Sequence, residues 1–356
     1  MNGQEKAAAI LEKMIHESAT PGVQYLFMDA GSILFEFNGG KSNIETKTKL
    51  THATTFNAFS VTKTLTALAI LQLAENRKLN IDDPVRKYVS LFPYETDFSI
   101  RHVLNHTSGL PNPMPLKWVH LRNEHELFNY KEFIENVLKK NDTLISRPGE
   151  KYSYSNIGYL ILGEIIEKTS GIDYRNYINS HILEKLSFSK NAYLGFEIPL
   201  SGDHAHGYIK KWSFLTLILG LMFDKRKFVG NSYDGWSQFK YFYNNGYSYG
   251  GLIGNARGFG HYLQTFLQGN VLIRNESKSA LFKIQTLNNG ASIDMGLSWF
   301  FGRLDKDVFF AHSGGGGGYY CEIRLYIEKK MASVIMFNRT GLRDERILDK
   351  IDKYFL

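Results

Sequence analysis

The chain has 356 residues, of which 43% are hydrophobic and 22% charged, a composition that excludes disordered and fibrous proteins. The formal charge is +7 at pH 7, but the Lys and Arg residues are spread along the chain. A nucleic-acid binder concentrates them on one face or tail, so we expect no nucleic-acid partner. The single cysteine, Cys321, excludes a disulfide within the chain and is expected to be a small buried residue.

The N-terminal half begins with a mixture of charged and small residues. It lacks the apolar core of a signal peptide, which favours a cytoplasmic protein, although a truncated exported protein would look the same. Apolar periodicity then predicts an amphipathic helix, a β-hairpin and a helix that is apolar nearly all round. The amphipathic helix covers Ala7 to His16, and the hairpin covers Val23 to Met28 and Ser32 to Phe37. The apolar helix covers Thr62 to Glu75.

Further helices are predicted over Asn156 to Lys168, closed by Gly171, and after the capping residue Asn255. The C-terminal part predicts four strands and a final helix. These are Met295 to Phe301, Val308 to Ala311, Tyr319 to Ile327, Ser333 to Phe337 and Leu342 to Phe355.

Strands at both ends with helices between them predict a fold of the α/β class, a three-layer α/β/α sandwich around one antiparallel sheet. We expect one domain over residues 1–356, with a helical lobe inserted over approximately residues 80–250.

Ser60 and Lys63 are the strongest catalytic candidates. They lie in the sequence Ser60-Val61-Thr62-Lys63 at the N-terminal end of the most apolar predicted helix. Residues three apart on a helix share a face. Burial lowers the pKa of a lysine and makes it a useful base, while the helix N-terminus offers N–H groups to negative charge. A capping serine beside a surface lysine is the alternative. The second such motif, Ser187 to Lys190, lies in a polar stretch and is expected to be a solvated turn.

Tyr154 is the second candidate, in Tyr154-Ser155-Asn156 directly before a predicted buried helix. A phenol near a lysine loses its proton more easily and could relay protons between nucleophile and leaving group. The same Tyr-x-Asn spacing recurs at Tyr174, Tyr177 and Tyr243, so spacing alone decides nothing. We expect the copies at 174 and 177 to pack within an amphipathic helix.

His312 is the third candidate, in His312-Ser313-Gly314 at the end of the predicted strand Val308 to Ala311. Glycine there lets a substrate backbone approach the sheet edge closely. The amide of Gly315 could then be an oxyanion donor beside that of Ser60. A purely structural histidine at a strand end is the alternative interpretation.

In this order the three motifs resemble the serine β-lactamase and penicillin-binding protein superfamily. The closer resemblance is to its class C β-lactamase branch, which also contains esterases, D-aminopeptidases and D,D-carboxypeptidases. Further stretches similar to that branch are His106 to Pro111, Tyr154 to Tyr159 and Gly250 to Ile253.

The resemblance implies roles for the candidate residues. Ser60 would be the nucleophile, Lys63 the base for acylation and Tyr154 the proton shuttle. Asn156 would orient the substrate carbonyl side, and the amides of Ser60 and Gly315 would form the oxyanion hole. No metal or other cofactor is implied.

His312 departs from the family pattern, because true class C β-lactamases carry a lysine there that helps to hold the carboxylate of a β-lactam. Histidine is mostly neutral at pH 7. We therefore expect a serine hydrolase that cleaves a small-molecule ester, amide or peptide through an acyl-enzyme on Ser60. A penicillin-recognising D,D-carboxypeptidase or weak β-lactamase is the alternative, and a non-catalytic binding protein that kept the fold is a third.

The segment Trp212 to Phe223 is almost wholly apolar, with basic residues on both sides. It is too short to span a bilayer. It predicts either a buried helix of the inserted lobe or an interfacial lid or anchor, whose basic flanks would meet lipid headgroups.

Overall fold

A computed structural model describes residues 1–113, 117–200, 203–211, 224–340 and 346–356. The apolar segment over residues 212–223 lies outside the described residues, so the predicted membrane contact stays an expectation. Nowhere in the ranges described is a helix both long and apolar enough to cross a bilayer.

The helices and strands are numbered here in chain order. The α-helices are α1 (Gly3–His16), α2 (Thr62–Glu75), α3 (Ile100–Leu104), α4 (Tyr130–Lys140), α5 (Asn156–Ser170), α6 (Tyr174–His181), α7 (Lys225–Phe228), α8 (Tyr247–Gly250), α9 (Ala256–Gln268), α10 (Asn275–Phe282) and α11 (Ile347–Asp352). Short 3-10 turns cover Phe59–Val61, Val85–Lys87, Arg122–Leu127 and Leu183–Lys185. The strands are β1 (Gly22–Asp29), β2 (Ile33–Asn43), β3 (Thr48–Lys49), β4 (Phe56–Asn57), β5 (Val119–Leu121), β6 (Leu194–Gly195), β7 (Tyr208–Lys210), β8 (Val229–Tyr233), β9 (Trp236–Phe239), β10 (Phe242–Asn244), β11 (Ile253–Gly254), β12 (Phe300–Leu304), β13 (Asp307–Gly316), β14 (Tyr319–Tyr326) and β15 (Met331–Phe337).

A seven-stranded antiparallel sheet forms the centre of the molecule, in the order β12-β13-β14-β15-β1-β2-β3. The two ends of the chain meet in its middle, where β1 pairs with β15 and Val23 lies opposite Phe337. The predicted sheet built from N- and C-terminal strands is confirmed.

The two faces of this sheet carry different helices, because successive side chains of a strand point to opposite sides. On β1, Val23, Tyr25 and Phe27 pack with α1 and α11. Leu26 and Met28 point the other way, into the larger core that contains α2, α5 and α9. Helices on both faces make the three-layer α/β/α sandwich that the sequence predicted. The bounds 80–250 of the inserted lobe stay a prediction.

Helices α2 and α5 bring the candidate residues together. Every residue of α2 from Thr62 to Leu73 is buried, which its apolar character on all sides predicted. Helix α5 starts at Asn156 and ends at Ser170. The capping residue Gly171 follows, and its φ of 76° is the left-handed conformation that favours glycine. The two helices pack against each other.

Several predicted strand boundaries are wrong. The hairpin strand expected to end at Phe37 continues to Asn43. The strand expected to start at Met295 starts only at Phe300, because the backbone before it turns. Ser298 has a φ of 72°, and its N–H donates to the carbonyl of Leu104 at 2.9 Å instead of to a neighbouring strand. The strand expected to end at Ala311 continues through Gly316, so His312 lies inside β13. Of the final helix expected over Leu342 to Phe355, the structure describes α11, and residues 341–345 lie outside the described residues.

Small sheets that the sequence did not predict surround the site. Strand β11 pairs with β4 on one side and β6 on the other, and β4 leads directly into the turn that carries Ser60. Strands β5 and β10 form a two-stranded ribbon, and β7, β9 and β8 form another sheet.

Candidate active site

Ser60 lies in the 3-10 turn Phe59–Val61, directly before α2. Phe59 has a φ of 48°, a left-handed conformation that a bulky residue adopts at a cost in energy. The N–H of Ala58 donates to the carbonyl of Leu252 at 2.9 Å, which ties the turn to the small sheet of β4 and β11. The turn presents the half-buried Ser60 to a cavity of about 460 Å³.

Lys63 is fully buried beneath Ser60. Its Nζ lies 3.0 Å from Ser60 Oγ, 2.8 Å from Asn156 Oδ1 and 2.8 Å from the carbonyl oxygen of Tyr249. Burial lowers the pKa of Lys63 well below its ordinary value of 10.5. No carboxylate within the described ranges forms an ion pair with it or raises this pKa.

The three oxygens around Lys63 Nζ can be satisfied by either form of the amine. An ammonium donates one N–H to each of them, and the lowered pKa makes the neutral form accessible. The Asn156 and Tyr249 oxygens can only accept hydrogen bonds. A neutral amine has two N–H groups, which satisfy these two oxygens, and one lone pair, which is left for the hydroxyl of Ser60. The arrangement can therefore take a proton from Ser60 and make its oxygen a nucleophile.

Asn156 holds Lys63 in place. Its Oδ1 accepts from Lys63, while its backbone N–H and its Nδ2 both donate to Asn112 Oδ1, at 3.0 and 3.2 Å. The Asn156 side chain is absent from the described lining of the cavity, so the predicted contact with a substrate carbonyl stays a prediction. Sequence reasoning missed Asn112 and the carbonyl of Tyr249, because no local pattern marks the partner of a distant side chain.

Tyr154 lines the cavity and forms a hydrogen bond with Ser60. Its ring centroid lies 5.1 Å from Lys63 Nζ. The expectation that this phenol loses its proton more easily is wrong, because burial raises the pKa of Tyr154 above its ordinary value and the hydrogen bond with Ser60 only partly opposes this. At neutral pH Tyr154 keeps its proton and can act as a donor.

His312 is buried in β13 and lines the same cavity. Its Nδ1 lies 2.8 Å from the carbonyl oxygen of Ser313. Burial, and to a smaller extent the nearby Lys63, lower the pKa of His312 to about 3, so the imidazole is neutral at physiological pH.

Gly314 lets β13 approach the Ser60 turn. A Cβ at this position would lie 2.2 Å from the carbonyl oxygen of Ala58 and 2.6 Å from the backbone nitrogen of Ser60. Glycine is therefore needed for packing between protein segments. Gly314 also lines the cavity, and close approach of a substrate to it stays a prediction. Gly315 follows it along the cavity wall, and the oxyanion role of its amide stays a prediction.

The described lining of the cavity carries no lysine, arginine or carboxylate. It consists of Ser60, Tyr154, Phe300, His312, Ser313, Gly314, Gly315, Gly316, Tyr319, Tyr320 and Thr340. With His312 neutral, this surface offers hydrogen-bonding groups and aromatic faces without a fixed charge.

The second Ser-x-x-Lys motif and the other Tyr-x-Asn motifs lie away from the described lining of the cavity. Residues 187–190 are exposed, as expected of a solvated turn. Tyr174 and Tyr177 are buried in α6, and Tyr243 is buried in β10. Cys321 is buried in β14.

Comparisons with known proteins identify the family of this chain. The family described as Beta-lactamase matches residues 7–353. Penicillin-binding protein 4* of Bacillus subtilis is 27% identical over 317 residues, which cover 88% of this chain and 67% of that protein. Protein flp of Staphylococcus aureus (strain MW2) is 28% identical over 199 residues, 54% of this chain and 39% of that protein. The chain thus aligns with well under half of the length of this second relative.

Solved structures show the same fold. The octameric penicillin-binding protein homologue from Pyrococcus abyssi is 24% identical with a TM-score of 0.76, over 95% of this chain and 74% of that one. D-amino acid amidase from Ochrobactrum anthropi SV3, complexed with D-phenylalanine, is 18% identical with a TM-score of 0.79, over 99% and 98% of the two chains.

Proposed function

Because this chain belongs to the beta-lactamase family, whose members are serine hydrolases and acyl transferases, we propose that it hydrolyses an ester or amide bond through an acyl-enzyme on Ser60. The contact between the buried Lys63 Nζ and Ser60 Oγ, 3.0 Å apart, carries the proposal. The two other acceptors of Lys63 leave a lone pair for the serine hydroxyl, which is what a base for acylation requires.

In the proposed reaction, Lys63 takes the proton of Ser60, and the serine oxygen attacks the carbonyl carbon of the substrate. The amides of Ser60 and Gly315 stabilise the negative charge on the carbonyl oxygen. Tyr154 donates its proton to the leaving oxygen or nitrogen and regains one from the Lys63 ammonium. Water then attacks the acyl-enzyme, gives its proton to the same groups, and releases the acid and free Ser60.

The uncharged cavity supports a neutral ester or amide as the substrate. A carboxylate substrate gains most from a cation, and the described lining supplies none. A penicillin-recognising carboxypeptidase or weak β-lactamase is the second candidate, because Penicillin-binding protein 4* aligns with 88% of this chain. A non-catalytic binding protein is the weakest candidate, since it would gain nothing from burying a lysine that has no carboxylate partner among the described residues next to a serine.

Labelling with a fluorophosphonate tests the nucleophile. We expect one adduct per chain, and peptide mass spectrometry should place it on Ser60. The variant Ser60→Ala should take up no label, whereas Ser187→Ala, in the second copy of the motif, should be labelled like the wild type. An adduct on Ser187, or full labelling of Ser60→Ala, would overturn the assignment.

The substrate class needs a separate measurement. Wild-type kcat/KM should be compared for p-nitrophenyl esters of increasing chain length, a chromogenic cephalosporin and D-alanyl peptides. We expect short-chain esters to be hydrolysed faster than the cephalosporin. The opposite order would favour the second candidate function.

A further inference from the structure

His106 holds the segment that carries Tyr154. It follows α3 in the stretch His106 to Pro111 and is buried, with a φ of 56°. Its carbonyl oxygen accepts from the N–H of Ser153 at 2.8 Å, and its ring Nδ1 accepts from the N–H of Ser155 at 3.1 Å. One residue therefore fixes the backbone on both sides of Tyr154.

The ring of His106 also packs on the ring of Tyr154. The two ring centroids are 4.3 Å apart, with an angle of 35° between the planes. Tyr159 flanks the same imidazole, with ring centroids 5.2 Å apart. The phenol of Tyr154 thus packs against the imidazole of His106, which also packs against the ring of Tyr159.

The hydrogen bonds of His106 fix its tautomer. A backbone N–H can only donate, so Nδ1 carries the lone pair and Nε2 carries the proton. Burial lowers the pKa of His106 well below its ordinary value, which keeps the ring neutral. Its buried Nε2 has no hydrogen-bond partner among the described residues. An unpartnered buried polar group costs stability, so stability alone does not explain a histidine at this position.

We propose that His106 is a positioning residue, which holds the phenol of Tyr154 at the height and angle from which its hydroxyl reaches Ser60 and the leaving group. The inference rests on the proposed function, in which Tyr154 donates a proton. His106 acts through Tyr154 and takes no part in bond making itself. Its two backbone contacts set the position of the Tyr154 Cα, and its ring sets the direction of the side chain.

Two variants separate these contacts. His106→Asn places an amide oxygen close to the position of Nδ1 and tolerates the left-handed backbone, so it keeps the contact with Ser155 but loses the ring. His106→Phe keeps a ring face against Tyr154 and loses the acceptor. The control Ser108→Ala changes an equally buried residue of the same loop, whose hydroxyl accepts from the N–H of Leu110. Thermal unfolding and circular dichroism identify the variants that fold.

The informative measurement is the dependence of kcat/KM on the leaving group, in a series of acetate esters from p-nitrophenol to unactivated alcohols. A good leaving group needs no proton, so p-nitrophenyl acetate should be nearly unaffected. For the poorest leaving groups we expect a loss of about tenfold or more in His106→Asn, a smaller loss in His106→Phe and none in Ser108→Ala. In a Tyr154→Phe background, His106→Asn should cost nothing further.

The outcomes distinguish this inference from the proposed function. If wild-type Ser60 takes no fluorophosphonate, the proposed function fails. If Ser60 is labelled but the variants lose activity equally for all leaving groups, or lose it additively with Tyr154→Phe, His106 is structural and the inference fails. The wild type gives a test that needs no variant, because ¹⁵N NMR should show His106 neutral with its proton on Nε2. The Nδ1–H tautomer would overturn the inference.

Discussion

Burial of Lys63 is unfavourable for stability, but it suits the proposed role of this amine as the base that takes the Ser60 proton. Replacing it by methionine fills a similar volume without an amine, and we expect the rate of Ser60 acylation to fall by about a hundredfold to ten-thousandfold, the usual contribution of a general base. Fluorophosphonate labelling rates on folded Lys63→Met check this. Labelling at the wild-type rate would show that another group takes the Ser60 proton.

The depressed pKa of Lys63 also predicts how stability depends on pH. The unfolded chain keeps a proton on this amine up to about its ordinary pKa of 10.5, whereas the folded chain releases it at lower pH. The unfolded state therefore binds more protons between the two pKa values, and the free energy of unfolding rises with pH in that window. Urea unfolding of wild type and Lys63→Met over that range should show the rise only in the wild type. A parallel dependence in both proteins would contradict the lowered pKa.

His312 permits a direct test of the uncharged cavity. Lysine at this position would bring a cation to the cavity wall, and a charge-assisted hydrogen bond contributes enough to raise kcat/KM for a carboxylate-bearing cephalosporin by about tenfold relative to p-nitrophenyl acetate. The neutral variant His312→Gln is the control and should leave the ratio unchanged. If His312→Lys leaves the ratio unchanged as well, the charge of the cavity does not select the substrate.

At the scale of residues, the sequence predicted the contacts that depend on short separations along the chain. Ser60 and Lys63 meet because three residues of helix separate them. The partners of Asn156 were missed, because Asn112 and Lys63 reach it from other segments. For Tyr154 the sequence suggested an acidic phenol beside a lysine, but removal of its hydroxyl from water raises the pKa of this phenol instead.

At the scale of elements, Gly314 determines how closely β13 packs against the Ser60 turn. In Gly314→Ala the new methyl group would meet the backbone of Ala58 and Ser60, so strand and turn must separate. We expect the free energy of unfolding to fall by about 1–3 kcal/mol, as is typical of overpacking, and ester hydrolysis to fall with it. The matched control is Gly230→Ala in β8, where the nearest atom to the new Cβ would be 3.7 Å away. Equal stability and activity in the two variants would contradict this packing role.

The starts of α5 and α9 and both ends of α2 could be predicted because their signals are local. The side chains of Ser155 and Asn255 accept from the N–H groups of Gly158 and Gly258 at the starts of α5 and α9, and α2 has the predicted bounds. Strand limits depend instead on the neighbouring chain. Strand β13 extends through its glycines because β14 pairs with it as far as Gly316. The two-residue strands β4, β6 and β11 are too short to show an alternating pattern.

At the scale of the whole molecule, Asp352 ties the C-terminal helix to the sheet. Its carboxylate accepts from Tyr25, Tyr326 and Ser333 at 2.7–2.8 Å, and all four side chains are buried. Asp352→Ala leaves three buried hydroxyls without their acceptor, so we expect the free energy of unfolding to fall by about 3 kcal/mol or more. Ser333→Ala removes one donor and should cost about 1 kcal/mol. Denaturant unfolding of both variants measures this, and equal losses would contradict it.

The overall architecture could be predicted because strand-forming segments cluster at the two ends of the chain. The order of strands within the sheet could not, since it depends on pairing between segments that carry no mark of their partner. For the same reason the sequence did not reveal that β5 pairs with β10, the strand that precedes α8, whose Tyr249 carbonyl contacts Lys63.

The pairing of β1 with β15 has a consequence for how the protein is made. Roughly 300 residues separate the paired strands, so at about 5–20 residues per second the ribosome needs on the order of 15–60 seconds to deliver the second after the first. During that time the β1–β2 hairpin has an open, apolar edge, which is the kind of surface that joins neighbouring chains into aggregates. A β1–β2 hairpin that forms before β15 has been synthesised is therefore expected to aggregate more readily than the finished sheet.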